Sequence, residues 1–436
     1  MTAGTAPAQA VISSVPLRHD PDFRRYWVAR VTSIAGTAGS YVAMPTLMYR
    51  MTGSALYTGI LTALESVPYV VFGLLGGAFA DRTDRRRMMI ITDVLNAAVL
   101  LSVPLAAAFG ALTVGHLLAA ATLTASLFVF FDAANFGALP TLVGRDRIAR
   151  ANGAVWGAST VLEICVPALV GVVVAIVHPA VVVGADAATY LVSAFCVARI
   201  VRPLSDHDRL AAAAAAGRRM VDGLRADIAE GLRFLWHHAT IRPMTLIGCA
   251  QAVAGGVVVG QLVPYAREVL GIGEKDNGLG ILFAGWGIGA LLATLVMGRL
   301  AASFGAARVT LYSLPASFAC GAAFAAAPTF PLAVLALTCW GAAYMLIVVN
   351  GITYRQQQTP ERLLSRVNVT GRLLSYGIGY SVGGLAGGIV ASISDPRGAM
   401  AFASGCVAVA VAIGWLSPLR TAAPPATARL SSDSPG

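Results

Sequence analysis

The sequence predicts an all-α membrane protein: twelve transmembrane helices in two pseudo-symmetric six-helix bundles, with both termini cytoplasmic. Three observations predict it. The 436-residue chain is 57% hydrophobic and 12% charged, about half the charge of a soluble protein of this size, and its mean hydropathy is +0.73. Its apolar residues fall into repeated runs of the ~20 residues that a helix needs to cross lipid hydrocarbon. Arginine-rich and arginine-poor connections alternate along the chain.

The runs lie at about 24–48, 54–80, 86–109, 112–136, 151–177, 179–200, 241–267, 276–301, 305–327, 330–355, 361–393 and 396–417. They are rich in Ala, Val, Leu and Gly and do not alternate polar with apolar, which argues against a membrane β-barrel. Residues 1–20 hold no apolar core of signal-peptide length, and the first run has no cleavage site behind it. That run is therefore expected to stay as the first span, behind a cytoplasmic tail of residues 1–20. The six cysteines (Cys165, Cys196, Cys249, Cys320, Cys339, Cys406) all sit inside apolar runs with no CxxC pair. They read as buried free thiols, not disulfides or metal ligands.

Of the 31 basic residues, 30 are arginine and one is Lys275. The connections before the first span and after the even-numbered spans carry Arg18, Arg24 and Arg25; Arg82, Arg85, Arg86 and Arg87; Arg145, Arg147 and Arg150; the arginines from 199 to 242; Arg299 and Arg308; and Arg355, Arg362 and Arg366. The opposite connections hold only Arg50, Arg267, Lys275 and Arg397. Basic loops stay cytoplasmic, so both termini are placed inside and the number of spans is even. The same dispersal removes a nucleic-acid surface as the meaning of the +10 net charge.

The longest hydrophilic stretch, 203–240, divides the chain into an N-terminal bundle (21–202) and a C-terminal bundle (241–420), with a disordered tail expected over 421–436. Within it, Val221, Leu224, Ile228, Leu232 and Leu235 share one helical face opposite Arg and Asp. Two readings stand: an amphipathic helix on the inner membrane surface, or a solvated linker helix. The halves also resemble each other. "GAFADRTDRRR" from Gly77 aligns with "GRLAASFGAAR" from Gly298, and "ANFGALPTLVGRDR" from Ala134 aligns with "VNGITYRQQQTPER" from Val349. Internal duplication of this kind marks secondary transporters, whose site forms between the halves near the midplane.

The densest charge cluster, inside "LLGGAFADRTDRRRMMI" (74–90), lies between two apolar runs. Its Gly77, Asp81, Arg82, Arg85 and Arg86 match G-x-x-x-D-R-x-G-R-R, and Asp84 stands at the second glycine. In this the chain resembles the major facilitator superfamily. The "DRxDRRR" variant, with "DPDFRRYWVAR", "MTGSAL", "GRDRIARANG" and "LVPYAREVLGI", is similar to its enterobactin-exporter and macrolide-efflux branch. The resemblance covers the chain outside its tails. It implies that Asp81 meets the positive N-terminal end of the eleventh span, near 361–371, when the cytoplasmic side is closed. The cluster would then latch the two halves; otherwise its arginines act only as inside markers. Ala302 replaces the acid in the second half. Asp93 and Asp132 are implied to join Arg82 and Arg145 in an inner-gate network.

Charges deep in a membrane are costly and tend to be functional. Glu65 and Glu163 fall near the midplane, Asp186 in the outer part of the sixth span, and Arg30, Asp93 and Asp132 toward the inner side. All belong to the first half. Glu65 and Glu163 are the candidate proton-coupling residues; the alternatives are pairing with Arg30, or a permanently neutral acid bonded to a neighbouring helix. Pro167 and Gly171 in "CVPALVG" match part of the export motif G-P-x-x-G-G, with Val166 and Val170 replacing its glycines; helix packing explains them equally well. Gly379, Gly383 and Gly387, with Gly384 and Gly388, form a stripe that permits close helix approach. Tyr41, Trp156 and Tyr344 are the candidate pocket aromatics, on spans that line the cavity in the family.

Other classes find little support. The single lysine, in "GIGEKDNG", does not complete a phosphate-binding loop, and there is no HExxH or metal spacing. No enzyme, cofactor or metal is expected. A channel is physically possible, but a duplicated bundle with a latch favours alternating access. The resemblance implies a proton-coupled exporter of small amphipathic molecules of drug, macrolide or siderophore type, with import of a small metabolite as the alternative. The expected partners are that substrate, protons and the lipid bilayer. The expected state is a monomer in the bacterial inner membrane.

Overall fold

The computed structural model describes residues 16–80, 82–205 and 220–421, and all its longer elements are helices. They are α1 (Pro21–Thr52), α2 (Ala55–Ala80), α3 (Arg85–Ala108), α4 (Val114–Val143), α5 (Ile148–Ile176), α6 (Pro179–Ala198) and α7 (Met220–His237). Then follow α8 (Ile241–Pro264), extended by a π-helical turn over Tyr265–Val269, α9 (Gly278–Phe304), α10 (Ala306–Ala326) and α11 (Phe330–Gln358). The next helix, α12, is α-helical over Glu361–Arg372, π-helical over Leu373–Gly379 and α-helical again over Tyr380–Ile393; α13 is Pro396–Leu416. Residues 1–15 and 422–436, in the two expected tails, lie outside the described residues.

Every expected span is a helix. Among the described residues, 11 of them are long and apolar enough to cross a membrane by composition. The exception is α1, whose first turns carry Asp22, Arg24, Arg25 and Arg30. Asp84, in place of the expected glycine, caps α3: its carboxylate accepts the Arg87 backbone N–H at 2.9 Å. None of the six cysteines is fully buried as expected: Cys165 and Cys339 are exposed, and Cys196, Cys249, Cys320 and Cys406 are half-buried.

The chain forms two compact units. The first comprises Met1–Met44, Val71–Val166 and Val177–Met220. Its core gathers Phe23, Tyr26, Met89, Phe131 and Leu142 from α1, α3 and α4. The second comprises Pro45–Val70, Pro167–Ile176 and Val221–Gly436. The division thus runs through α1, α2 and α5, and a proline stands at or within a few residues of each crossing: Pro45, Pro68 and Pro167.

Glycine builds the second unit. On α12, Gly383 faces α8, where a Cβ would meet the Val253 carbonyl carbon at 2.9 Å. Gly384 and Gly388 face α2: a Cβ on Gly384 would stand 2.9 Å from the Gly59 oxygen, and one on Gly59 would stand 2.8 Å from the Gly388 Cα. Backbones this close allow no side chain between them. The linker helix α7 also docks here. Leu235 packs with Ile241, Leu363 and Val367, and Glu230 pairs with Arg366. Leu232 and Trp236 on α7 stay exposed. The helix is therefore neither free in solvent nor resting on lipid alone. The side chains of Val221, Leu224 and Ile228 lie outside the described residues.

Candidate functional site

The second unit holds a continuous ladder of aromatic rings. Tyr69 of α2 meets Tyr376 edge-on at 5.1 Å between centroids, and Tyr376 meets Tyr380 at 5.3 Å. The Tyr380 and Tyr344 hydroxyls lie 3.4 Å apart. Tyr344 touches Trp286 at 5.3 Å, Trp286 touches Trp340 at 6.2 Å, and Trp340 leads through Phe324 to Tyr265. These are edge and tilted geometries that the ring quadrupole favours. The Tyr265–Trp340 end is buried, whereas Tyr376 is 46% exposed. Both ends of the ladder touch π-helical turns: Tyr265 opens the one on α8, and Tyr376 lies inside the one on α12. Such turns often accompany functional sites.

Charge gathers at the exposed end. Arg372 donates to the Tyr69 hydroxyl at 2.9 Å, and its guanidinium lies 5.4 Å from the Tyr69 ring centre. Glu65 sits one helical turn before Tyr69 and is half-buried; among the described residues it makes no hydrogen bond or ion pair. Glu163, exposed on the α5 stretch of the first unit, likewise makes none. Within the first unit, Glu163 does not pair with Arg30, whose guanidinium lies 5.1 Å from the Phe131 ring centre.

Of the candidate pocket aromatics, only Tyr344 belongs to the ladder. Tyr41 and Trp156 lie in the first unit, 37% and 69% exposed. Tyr69, Tyr380, Trp340 and Arg372 were not expected at a site. The sequence held one faint signal, the i,i+4 spacings Glu65–Tyr69 and Tyr376–Tyr380, which stack side chains on one helix face.

The second unit also joins the C-terminal end of α1 to other elements. The Tyr49 hydroxyl donates to Glu268 at 2.8 Å. Arg50 donates to the Val174 carbonyl at 2.6 Å and lies 3.9 Å from Glu274. Pro167 and Gly171 head the α5 stretch of this unit, where Gly171 packs against Gly280 of α9.

In the first unit, the arginine cluster acts as a set of staples. The buried Arg85 donates its side chain to the Gly137 carbonyl at 3.0 Å and its backbone N–H to Ser205 at 2.9 Å. Arg86 donates to the Arg202 carbonyl at 2.7 Å. Arg202 pairs with both Asp20 and Asp22, and Arg147 stands 3.6 Å from Asp20. The ends of α1, α3 and α4 are so tied to the segment after α6. Asp22 lies ahead of the apolar run of α1. Burial pushes its carboxyl up, but the Arg202 and Val201 backbone N–H groups and the Arg202 and Arg25 guanidiniums outweigh this and hold it below its ordinary value. Asp81 lies outside the described residues, as does the Arg145 side chain; Arg82 is exposed and Gly77 has open space around it.

Asp93 corrects an expectation. It is fully buried between α3 and α6, beside Ser193, and makes no ion pair with Arg82 or any other described residue. Its place on α3 turns it into the bundle, away from the arginine-rich loop. Asp132, expected alongside it, stands on α4 within electrostatic range of Tyr26. Asp186, on α6, accepts hydrogen bonds from Ser40 at 2.5 Å and Thr189 at 3.0 Å.

The chain matches the transmembrane secretion effector family over residues 12–433. It is 29% identical to the multidrug efflux pump Tap of Mycolicibacterium fortuitum over 276 residues, which span 61% of this chain and 64% of the pump. It is 26% identical to the enterobactin exporter EntS of Salmonella choleraesuis over 361 residues, 81% of each chain. Among solved structures, the nucleoside transporter NupG superposes with a TM-score of 0.70 at 13% identity, covering 92% of this chain and 100% of that one. A bacterial homolog of the human lysosomal transporter Spinster, inward-facing and occupied, superposes with a TM-score of 0.67 at 15% identity, covering 95% and 100%. These two likenesses show the fold. The chain belongs to the transmembrane secretion effector family of the major facilitator superfamily, and is a multi-pass transporter of the bacterial inner membrane rather than an enzyme.

Proposed function

We propose that this transporter is a proton-coupled exporter of small amphipathic molecules, working as a monomer by alternating access. The aromatic ladder carries the reading. The exposed ring of Tyr376, beside the half-buried rings of Tyr69, Tyr380 and Tyr344, offers apolar faces to a flat or greasy solute, and the buried Tyr265–Trp340 end backs them. At the exposed end, Glu65 makes no ion pair among the described residues, which leaves its carboxyl able to take up and give back a proton. Glu163 is the second candidate for that role. The names of the relatives, an efflux pump and an exporter, favour outward transport.

The arginine-rich end is read as cytoplasmic, by the positive-inside rule. The ties of Tyr49 and Arg50 would then belong to the extracytoplasmic gate. Asp81 remains the proposed latch on the cytoplasmic side.

The test is accumulation of a panel of dyes, antibiotics and siderophores in efflux-deficient cells expressing the protein, with and without a protonophore. Lower accumulation that returns with protonophore supports proton-linked export. Higher accumulation reverses the direction. Proton-driven export kept in both Glu65→Gln and Glu163→Gln removes the coupling assignment.

A further inference from the structure

The second unit contains a cavity of about 440 Å³ between α10 and α11 that the reading above does not use. It is an apolar groove, lined from α10 by Ala319 and Ala323 and from α11 by Leu332, Leu335 and Ala336. Both helices are apolar enough to cross a membrane, and Leu332 and Leu335 are 51% and 60% exposed. The groove lies on a different side of α11 from the aromatic ladder. Cys339, which lines it, and Tyr344 of the ladder are five positions apart, about 140° around the helix.

The shape fits a hydrocarbon chain. Along α10 the lining runs from Ala319 to Ala327, a rise of about 12 Å, and along α11 from Leu332 to Cys339, about 10 Å. The hydrocarbon of one leaflet is about 15 Å deep, half of a ~30 Å core. The groove is thus elongated along the spans and nearly as long as one leaflet is deep. Protein interiors leave few voids of this size, and here small alanines make one.

The charge at one end fits a phosphate. The Ala327 carbonyl accepts a hydrogen bond from the Arg397 guanidinium at 3.3 Å. Arg397 is half-buried in the first turn of α13. Among the described residues this is the one hydrogen bond its side chain makes, and it has no ion pair. Asp395, two positions earlier, is engaged as the N-cap of α13, where it accepts the Gly398 N–H at 2.6 Å. A guanidinium carries five N–H donors, so Arg397 keeps a fork for a further oxyanion. α10 ends at Ala326, α11 begins at Phe330 and α13 at Pro396. The guanidinium therefore stands at the ends of the spans, where hydrocarbon gives way to headgroups.

We propose that this groove is a phospholipid site, with one acyl chain lying between α10 and α11 and the phosphate on Arg397. The chain fills the void along its length, and the phosphate meets the guanidinium at its end. An apolar ridge from a second copy of the chain would fill the groove and leave that guanidinium covered without a partner.

The test uses the full-length protein, purified in detergent and washed free of lipid. It is titrated with phosphatidylethanolamine in mixed micelles, and with diacylglycerol, which has the chains and lacks the phosphate. Native mass spectrometry counts bound lipid, and thermal unfolding follows its effect. The expected result is retention of one phospholipid per chain with a saturable rise in melting temperature. Diacylglycerol, and phospholipid on Arg397→Ala, should each need about tenfold more lipid for half-saturation, the loss of one hydrogen bond to a charged group. Ala336→Phe fills the groove and should abolish retention. Ala323→Leu fills it less and should weaken retention, so the proposal stays testable if the larger change does not fold. Equal responses to the two lipids overturn the proposal, as does unaltered retention in both groove variants. A dimer that is lost in the groove variants also overturns it and gives the groove to a second copy.

Discussion

Gly171 of α5 and Gly280 of α9 meet backbone to backbone: a Cβ on Gly171 would stand 2.7 Å from the Gly280 nitrogen. The obstacle is main chain and cannot rotate away. Gly171→Ala should therefore destabilise the protein by about 1–3 kcal/mol, the usual cost of overpacking. Thermal unfolding of the purified variant measures this; a melting temperature equal to the parent's would mean that the helices separate at little cost.

The two ties of Arg50 are unequal. Its bond to the Val174 carbonyl is short and half-buried, whereas Glu274 is exposed and 3.9 Å away. A charged donor to a carbonyl contributes about 1.5–3 kcal/mol; an exposed ion pair contributes about 0–1 kcal/mol. Arg50→Ala should thus lower stability clearly, and Glu274→Ala hardly at all. Parallel denaturation of the two variants checks it, and equal losses would reassign the tie to the ion pair.

Asp22 makes stability depend on acid. Its folded-state carboxyl is held below its unfolded value of about 3.9. Such a group contributes its full stabilisation above the unfolded value and loses it as pH falls through the lower folded value. Stability should therefore decline below about pH 4 more steeply in the parent than in Asp22→Asn. Melting curves across acid pH compare the slopes, and matching slopes would remove Asp22 from the account.

The ladder predicts a graded effect on substrate. Tyr376→Ala removes the exposed ring on which an aromatic substrate would stack; a ring pair is worth about 0.5–1.5 kcal/mol beyond its area, so apparent affinity should fall about two- to tenfold. Tyr69→Phe keeps the ring and loses only the hydroxyl that Arg372 reaches, so its effect should be smaller. Concentration dependence of efflux separates them. An unchanged affinity in Tyr376→Ala would show that substrate does not touch this end.

The sequence read the helices well because twenty-residue apolar runs have few alternatives in a membrane: α2 was expected over 54–80 and spans Ala55–Ala80. α4 was expected to end near 136 and continues to Val143, because the arginine staples fold back over its last turns, with Arg85 on the Gly137 carbonyl. The site was less legible. Tyr69 and Arg372 are 303 residues apart, and no periodicity couples positions so distant. The π-helical turns depend on how α8 and α12 pack, not on composition. Asp93 was drawn toward the arginine loop by its neighbours in sequence, while its position on the helix turned it to the core.

The prolines at the crossings between the two units have a mechanical meaning. Pro45, Pro68 and Pro167 each remove one rung from the hydrogen-bond ladder of a helix that is shared by both bodies. A rod missing a rung is softest there. α1, α2 and α5 are thus pre-creased beams, each weakest at one known residue.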